Sequence, residues 1–205
     1  MKREWKLAAI GLSCGVLLMS GLVFAADKEK EKTTGKDAKA TAEMEAWMKA
    51  ATPGEQHKNL SFFVGDWKTQ NTMWMEGSET KTEGTAHMEW AMDGRYVISK
   101  HSGNFMGMPF QGMGIDGYDN INSKYFSIWI DNMSTSYMTS DGTASADGKT
   151  ITYKGSMKDP LGKTVHHRMV STVTGPDSFK FEMFMSPDNA KEEKAMEILY
   201  TRVKS

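Results

Sequence analysis

Between Asp66 and Arg202 polar and apolar residues alternate, and this alternation dominates the chain. Trp67, Thr69, Asn71 and Met73 alternate with Lys68, Gln70 and Thr72, the period of a strand whose side chains point to opposite faces. Comparable stretches predict strands over about 80–91, 95–103, 108–118, 124–131, 134–141, 150–157, 163–173, 178–186 and 194–203. Asp93-Gly94 and Asp147-Gly148 have the composition of two-residue hairpin turns, in which both central residues take positive φ. Gly77, Gly142, Gly162 and Gly175-Pro176 mark further bends. No helical stretch separates the strands, and parallel pairing needs such crossovers. The expected class is all-β, an antiparallel meander of about ten strands, closed as a barrel or stacked as a sandwich.

Upstream the period lengthens. Met44, Trp47 and Met48 at i, i+3 and i+4 predict a short helix over 40–50. Thr52-Pro53-Gly54-Glu55 resembles a helix start, and that helix would carry His57, Leu60 and Phe63. Asp27 to Lys39 has no apolar residue before Ala38, so residues 26–42 are expected to be a disordered tether. The domain proper is expected over 43–205.

The first 25 residues have the three-part pattern of a secretory signal: Lys2, Arg3 and Lys6, then an apolar run from Leu7 to Phe24, then the Ala25-Ala26 exit. Cleavage there implies an exported protein, periplasmic or extracellular, with no stable membrane insertion afterwards. Cys14 lies in a poor lipobox, because Gly11 stands where an aliphatic residue is needed. Removal of the segment takes away the only cysteine, which excludes a thiol catalyst. It also moves the net charge from −1 to about −3. A near-neutral balance of 25 basic and 26 acidic residues gives no reason to expect nucleic acid as a partner.

Candidate chemistry is sparse. Gly112-Met113-Gly114-Ile115-Asp116-Gly117 matches G-x-G-x-x-G, but a strand pattern follows it where a dinucleotide site needs a helix. The glycines are expected to allow a bent strand or close strand contact. The five histidines show no zinc spacing. His166 and His167 are strand neighbours and must face opposite ways. Haem-binding barrels of the nitrobindin type use one such histidine as axial ligand. Here a partly exposed strand histidine is the preferred reading, and no cofactor is expected. Asp116 and Asp119 are expected to cap local backbone groups, and Asp131 ends a strand before Asn132, so no catalytic carboxylate pair is expected.

Methionine is abundant, at 18 residues, while Leu60, Leu161 and Leu199 are the only leucines after the signal. Met73/Met75, Met106/Met108 and Met183/Met185 are M-x-M pairs, each on one face of a strand. Flexible filler of the core is the favoured role. Soft-metal binding, with Met106, Met108 and Met113 as weak ligands, is the other.

Gly65-Asp66-Trp67, Asp93-Gly94-Arg95, Gly114-Ile115-Asp116-Gly117-Tyr118-Asp119, Trp129-Ile130-Asp131 and Tyr200-Thr201-Arg202 together resemble the bacterial DUF1579 family, secreted proteins of unknown function. The G-x-W start and late arginine also resemble the calycin superfamily of lipocalins and fatty-acid-binding proteins. These resemblances imply a calycin-like barrel and no established activity. In a closed barrel Trp67 can plug one end with Arg202 across its indole. The expected function is binding of a small apolar or amphipathic ligand without catalysis. Trp74, Trp90, Phe105, Phe110, Phe126 and Trp129 are candidate walls, their inward or outward sense open because one bulge reverses it. The competing readings are an enzyme acting in the same cavity and a methionine-based periplasmic Cu(I) or Ag(I) binder.

Overall fold

The computed structural model describes residues 30–75, 77–188 and 190–204. The expected signal over residues 1–25 lies outside them. The chain divides into two units, residues 1–42 and 43–205. Helix α1 (Lys30–Ala51) begins in the first and ends in the second. It reaches well ahead of the helix expected over 40–50, into the stretch read as a tether. Alanine, lysine and glutamate are strong helix formers, and residues 37–49 are helical without burying a face. Met44, Trp47 and Met48 are indeed exposed on it.

A short helix α2 (Glu55–Lys58) and a 3-10 turn (Ser61–Phe63) follow. The Gly54 amide donates to His57 Nδ1 at 3.0 Å, which closes the first turn of α2. Ten strands then run β1 (Gly65–Met75), β2 (Ser78–Ala91), β3 (Tyr96–Phe105), β4 (Met108–Asp119) and β5 (Lys124–Asp131). They continue as β6 (Met138–Ala144), β7 (Thr150–Lys158), β8 (Thr164–Gly175), β9 (Ser178–Pro187) and β10 (Glu193–Arg202). Each pairs antiparallel with the next, and β1 pairs with β10, so the meander is a closed barrel. Closure leaves no strand edge unpaired.

The two predicted turns differ. At the first, Met92, Asp93 and Gly94 all take positive φ. At the second only Gly148 does. There Asp147 keeps a negative φ because its carboxylate accepts from Ser145 Oγ and the Lys149 amide, a tighter local arrangement than the primed turn.

The 3-10 turn seals one end of the barrel. Trp67 is fully buried, and its indole N–H donates to the Phe63 carbonyl at 2.7 Å. Phe179 meets Trp67 edge-on at 4.8 Å and stacks on Tyr200 at 4.0 Å. Arg202 donates to the Val64 and Phe62 carbonyls at 2.8 and 2.7 Å, groups that the 3-10 turn leaves without backbone partners. Tyr125 on β5 ties down α2, donating to the Gln56 carbonyl and accepting from Asn59. The hairpin turns at the other end have no such cover among the described residues. Met106 and Tyr137 are exposed there.

Candidate functional site

The alternation along each strand sorts the side chains. On β1 the inner face carries Trp67, Thr69, Asn71 and Met73. Burial along this face falls from complete at Trp67 to partial at Met73, so the interior is packed at the sealed end and opens towards the far one. Met196 on the neighbouring β10 and Met185 on β9 are likewise only half-buried.

Four of the six candidate wall residues face inward. Trp90 packs against the core near the sealed end. Phe105, Phe110 and Trp129 belong to the open half, and Phe110 stacks on Trp129 with centroids 6.4 Å apart. Trp74 and Phe126 lie on the outer surface and cannot line the interior. Trp74 donates to Glu79 and lies under the Lys194 ammonium, whereas Phe126 packs on Tyr96. Both sit at strand positions of outward parity beside an inward neighbour, Met73 and Tyr125 respectively.

The glycines of β4 explain the position of Trp129. Gly112 and Gly114 face inward, and the indole of Trp129 lies against them. A Cβ at Gly112 would collide with the ring, and one at Gly114 would come within 2.5 Å of Ser99 Oγ and 3.4 Å of the indole. The G-x-G-x-x-G run is therefore a cradle for an aromatic ring. Asp131 fixes the other edge of the indole by accepting from Nε1 at 2.9 Å, and its second oxygen caps the Met133 amide. Asp119 accepts from the Ile121 and Asn122 amides, the local role expected for it.

Asp116 does something else. It shares the inner face with Gly112 and Gly114, and its carboxyl is buried among Ser127 and Tyr153. Burial raises its pKa from 3.8 to about 6, against the opposing hydrogen bonds from those two hydroxyls. Burial also raises the Tyr153 phenol, and the Asp116 charge adds to the effect.

His101 on β3 is the second unforeseen interior group. It meets Trp129 at 5.1 Å and Tyr200 at 6.1 Å, both edge-on. Burial lowers its pKa to about 4, so the ring is neutral at pH 7. The imidazole and the Tyr200 phenol thus stand side by side on the inner face of the barrel. His101 and Asp116 are not an acid–base pair. Asp116 stands opposite Val97, four residues along β3 from His101, a separation of about 13 Å at strand rise.

The methionine candidates disperse. Met106 and Met108 flank Gly107 at the exposed tip of the β3–β4 hairpin. Met113 is on the outer face opposite Ile130, about 16 Å further along β4 at strand rise. The structure brings inward the methionines of later strands instead, Met169, Met183, Met185 and Met196. Phase would have placed His101 inside, since it alternates with Val97 and Ser99. Its meeting with Tyr200 on β10 had no sequence signal.

Residues 52–202 match the family described as "Protein of unknown function (DUF1579)". No curated protein matches the chain. Rv2717c from M. tuberculosis is similar in structure over 75% of this chain and 100% of its own, with a TM-score of 0.55 and 11% identity. The S-type phycobiliprotein lyase CPES from Guillardia theta is similar over 75% of this chain and 99% of its own, with a TM-score of 0.51 and 11% identity. These likenesses show a shared barrel fold.

Proposed function

We propose that this chain, which belongs to the DUF1579 family, binds one small, largely apolar molecule in the open half of its barrel. The observation that carries the reading is the convergence of two polar rings, His101 and Tyr200, beside the Trp129 and Phe110 rings. A ligand with a flat apolar body would lie on the Trp129–Phe110 surface. One hydrogen-bonding group on it would satisfy the neutral imidazole or the phenol. Barrels of this size hold one such molecule. The likeness to a phycobiliprotein lyase agrees with a barrel that handles a small molecule, and at 11% identity it contributes the fold alone. Binding is preferred to catalysis because His101, beside the ring surface, and Asp116 stand too far apart to pass a proton between them. Export to the periplasm or the medium belongs to the same proposal.

Titration with the neutral fluorescent probe N-phenyl-1-naphthylamine tests this. Saturable one-to-one binding is expected, weakened at least about tenfold by Trp129→Ala, a loss of about 1.4 kcal/mol. Trp74→Ala, on the outer surface, should leave it unchanged. Absence of saturable binding, or equal binding by the Trp129 variant, would overturn the reading.

A further inference from the structure

The inner faces of β8 and β9 bring a histidine and several thioethers together. His167 pairs with Met185, and Met169, two residues further along β8, pairs with Met183. The row continues across the barrel, Met183 beside Met196 on β10 and Met196 beside Met73 on β1. His167 is 3% exposed. Its Nε2 lies 2.7 Å from Ser140 Oγ, and the ring reaches over Gly155, where a Cβ would come within 2.6 Å of Nε2.

The other ring nitrogen is left over. His167 Nδ1 is buried and has no hydrogen-bond partner, the one side-chain nitrogen or oxygen so placed among the described residues. The bond to Ser140 accounts for Nε2 and leaves Nδ1, on the far side of the ring, to some other group. In the tautomer whose Nε2–H donates to the Ser140 hydroxyl, Nδ1 keeps its lone pair.

We propose that His167 Nδ1 and the thioethers of Met169, Met183 and Met185 form a binding site for a soft monovalent cation, Cu(I) or Ag(I). Thioethers are soft ligands that select such ions, and imidazole suits copper as well. Three of the four ligands are uncharged thioethers, which match a single positive charge better than a divalent one. Harder divalent ions have no comparable site: no cluster of three or more His, Cys, Asp or Glu occurs among the described residues. Met185, half-buried, lies towards the open end and gives the ion a route in. The site uses the β8–β9 wall, whereas the organic ligand proposed above uses Trp129, Phe110, His101 and Tyr200. Neither proposal depends on the other.

The full chain is titrated with Cu(I) under nitrogen against the chelator bathocuproine disulfonate, with Ag(I) as a redox-inert second probe. One equivalent of Cu(I) should be withheld from the chelator. Met183→Leu with Met185→Leu keeps the apolar volume and should lower the affinity at least about tenfold while the thermal melt stays close to that of the wild type. Met106→Leu with Met108→Leu, at the exposed hairpin, should change nothing. Nitrogen-15 resonances of the wild-type chain give an independent reading, since Ag(I) should shift His167 Nδ1. The proposal is overturned if the chelator removes all the copper, in which case a buried water is the partner of Nδ1. It is equally overturned if the folded Met183/Met185 variant holds copper as tightly as the wild type, if the Met106/Met108 variant loses it, or if Ag(I) leaves the Nδ1 resonance in place.

Discussion

Arg202 stacks on Trp67, its cross-strand partner at the seam that closes the barrel, with the guanidinium carbon 4.1 Å from the ring centroid. Its two terminal nitrogens hold the last carbonyls of the 3-10 turn, so one side chain joins the first strand, the last strand and the plug. Gly65 belongs to the same unit. It has a φ of +133°, and a Cβ there would come within 2.6 Å of Arg202 Nη1. The G-x-W start and the late arginine are thus one physical device separated by the whole length of the barrel.

Trp67→Ala should therefore destabilise the domain by about 3–5 kcal/mol. Arg202→Ala should cost about 2–3 kcal/mol, because two charge-assisted hydrogen bonds disappear along with the cation–π contact. Gly65→Ala should cost about 1–3 kcal/mol through backbone strain alone. Urea unfolding curves measure all three. Wild-type midpoints for both Trp67→Ala and Arg202→Ala would remove the closure argument.

Gly112→Ala should push the Trp129 indole off β4 towards the open half. The expected outcome is a changed tryptophan emission spectrum and weaker N-phenyl-1-naphthylamine binding. Phe126→Ala, on the outside, should lose stability without losing the probe. Unchanged probe binding by Gly112→Ala would mean that Trp129 does not form the ligand surface.

Asp116 and His101 oppose each other in pH dependence. The folded pKa of Asp116 is raised, from 3.8 to about 6. Its contribution to stability is whole below pH 3.8 and is lost as pH rises through about 6. The folded pKa of His101 is depressed, from 6.5 to about 4. Its contribution is whole above pH 6.5 and is lost as pH falls through about 4. Each shift of roughly two pH units is worth at most about 3 kcal/mol. Relative to the wild type, Asp116→Asn should gain stability from pH 4 to pH 7, and His101→Gln should gain it in the opposite direction. Urea midpoints at pH 4, 5, 6 and 7 measure both. Curves parallel to the wild type would contradict the buried placement of these groups.

Much of the architecture was legible in the alternation. Trp67 to Met73 set the phase of β1, and the inner face follows from it residue by residue. Turn composition located the hairpins, and the lack of crossover helices dictated antiparallel pairing. The choice of barrel over sandwich was not local, because closure depends on β1 meeting β10 across more than a hundred residues. Trp74 and Phe126 show a second limit. Aromatic residues in strands are read as apolar walls, but an outward aromatic beside Lys194 or Tyr96 satisfies the same composition. Asp116 shows a third. An aspartate next to glycine looks like a turn cap, and only the inward phase of β4 reveals it as a buried acid.

Export predicts a specific mature end. N-terminal sequencing of the protein recovered outside the cytoplasm should begin near Ala26 or Asp27. Retention of Met1 would make the apolar run from Leu7 to Phe24 a membrane anchor instead.

Native mass spectrometry of the full chain, mixed with a panel of small aromatic and aliphatic molecules, tests the occupancy of the open half most directly. Met73→Trp fills that space from β1 and leaves the sealed end intact. The wild type should carry one molecule per chain, and the Met73→Trp variant, folded by its thermal melt, should carry none. The account is contradicted if the wild type retains nothing from the panel, or if both proteins carry the same adduct.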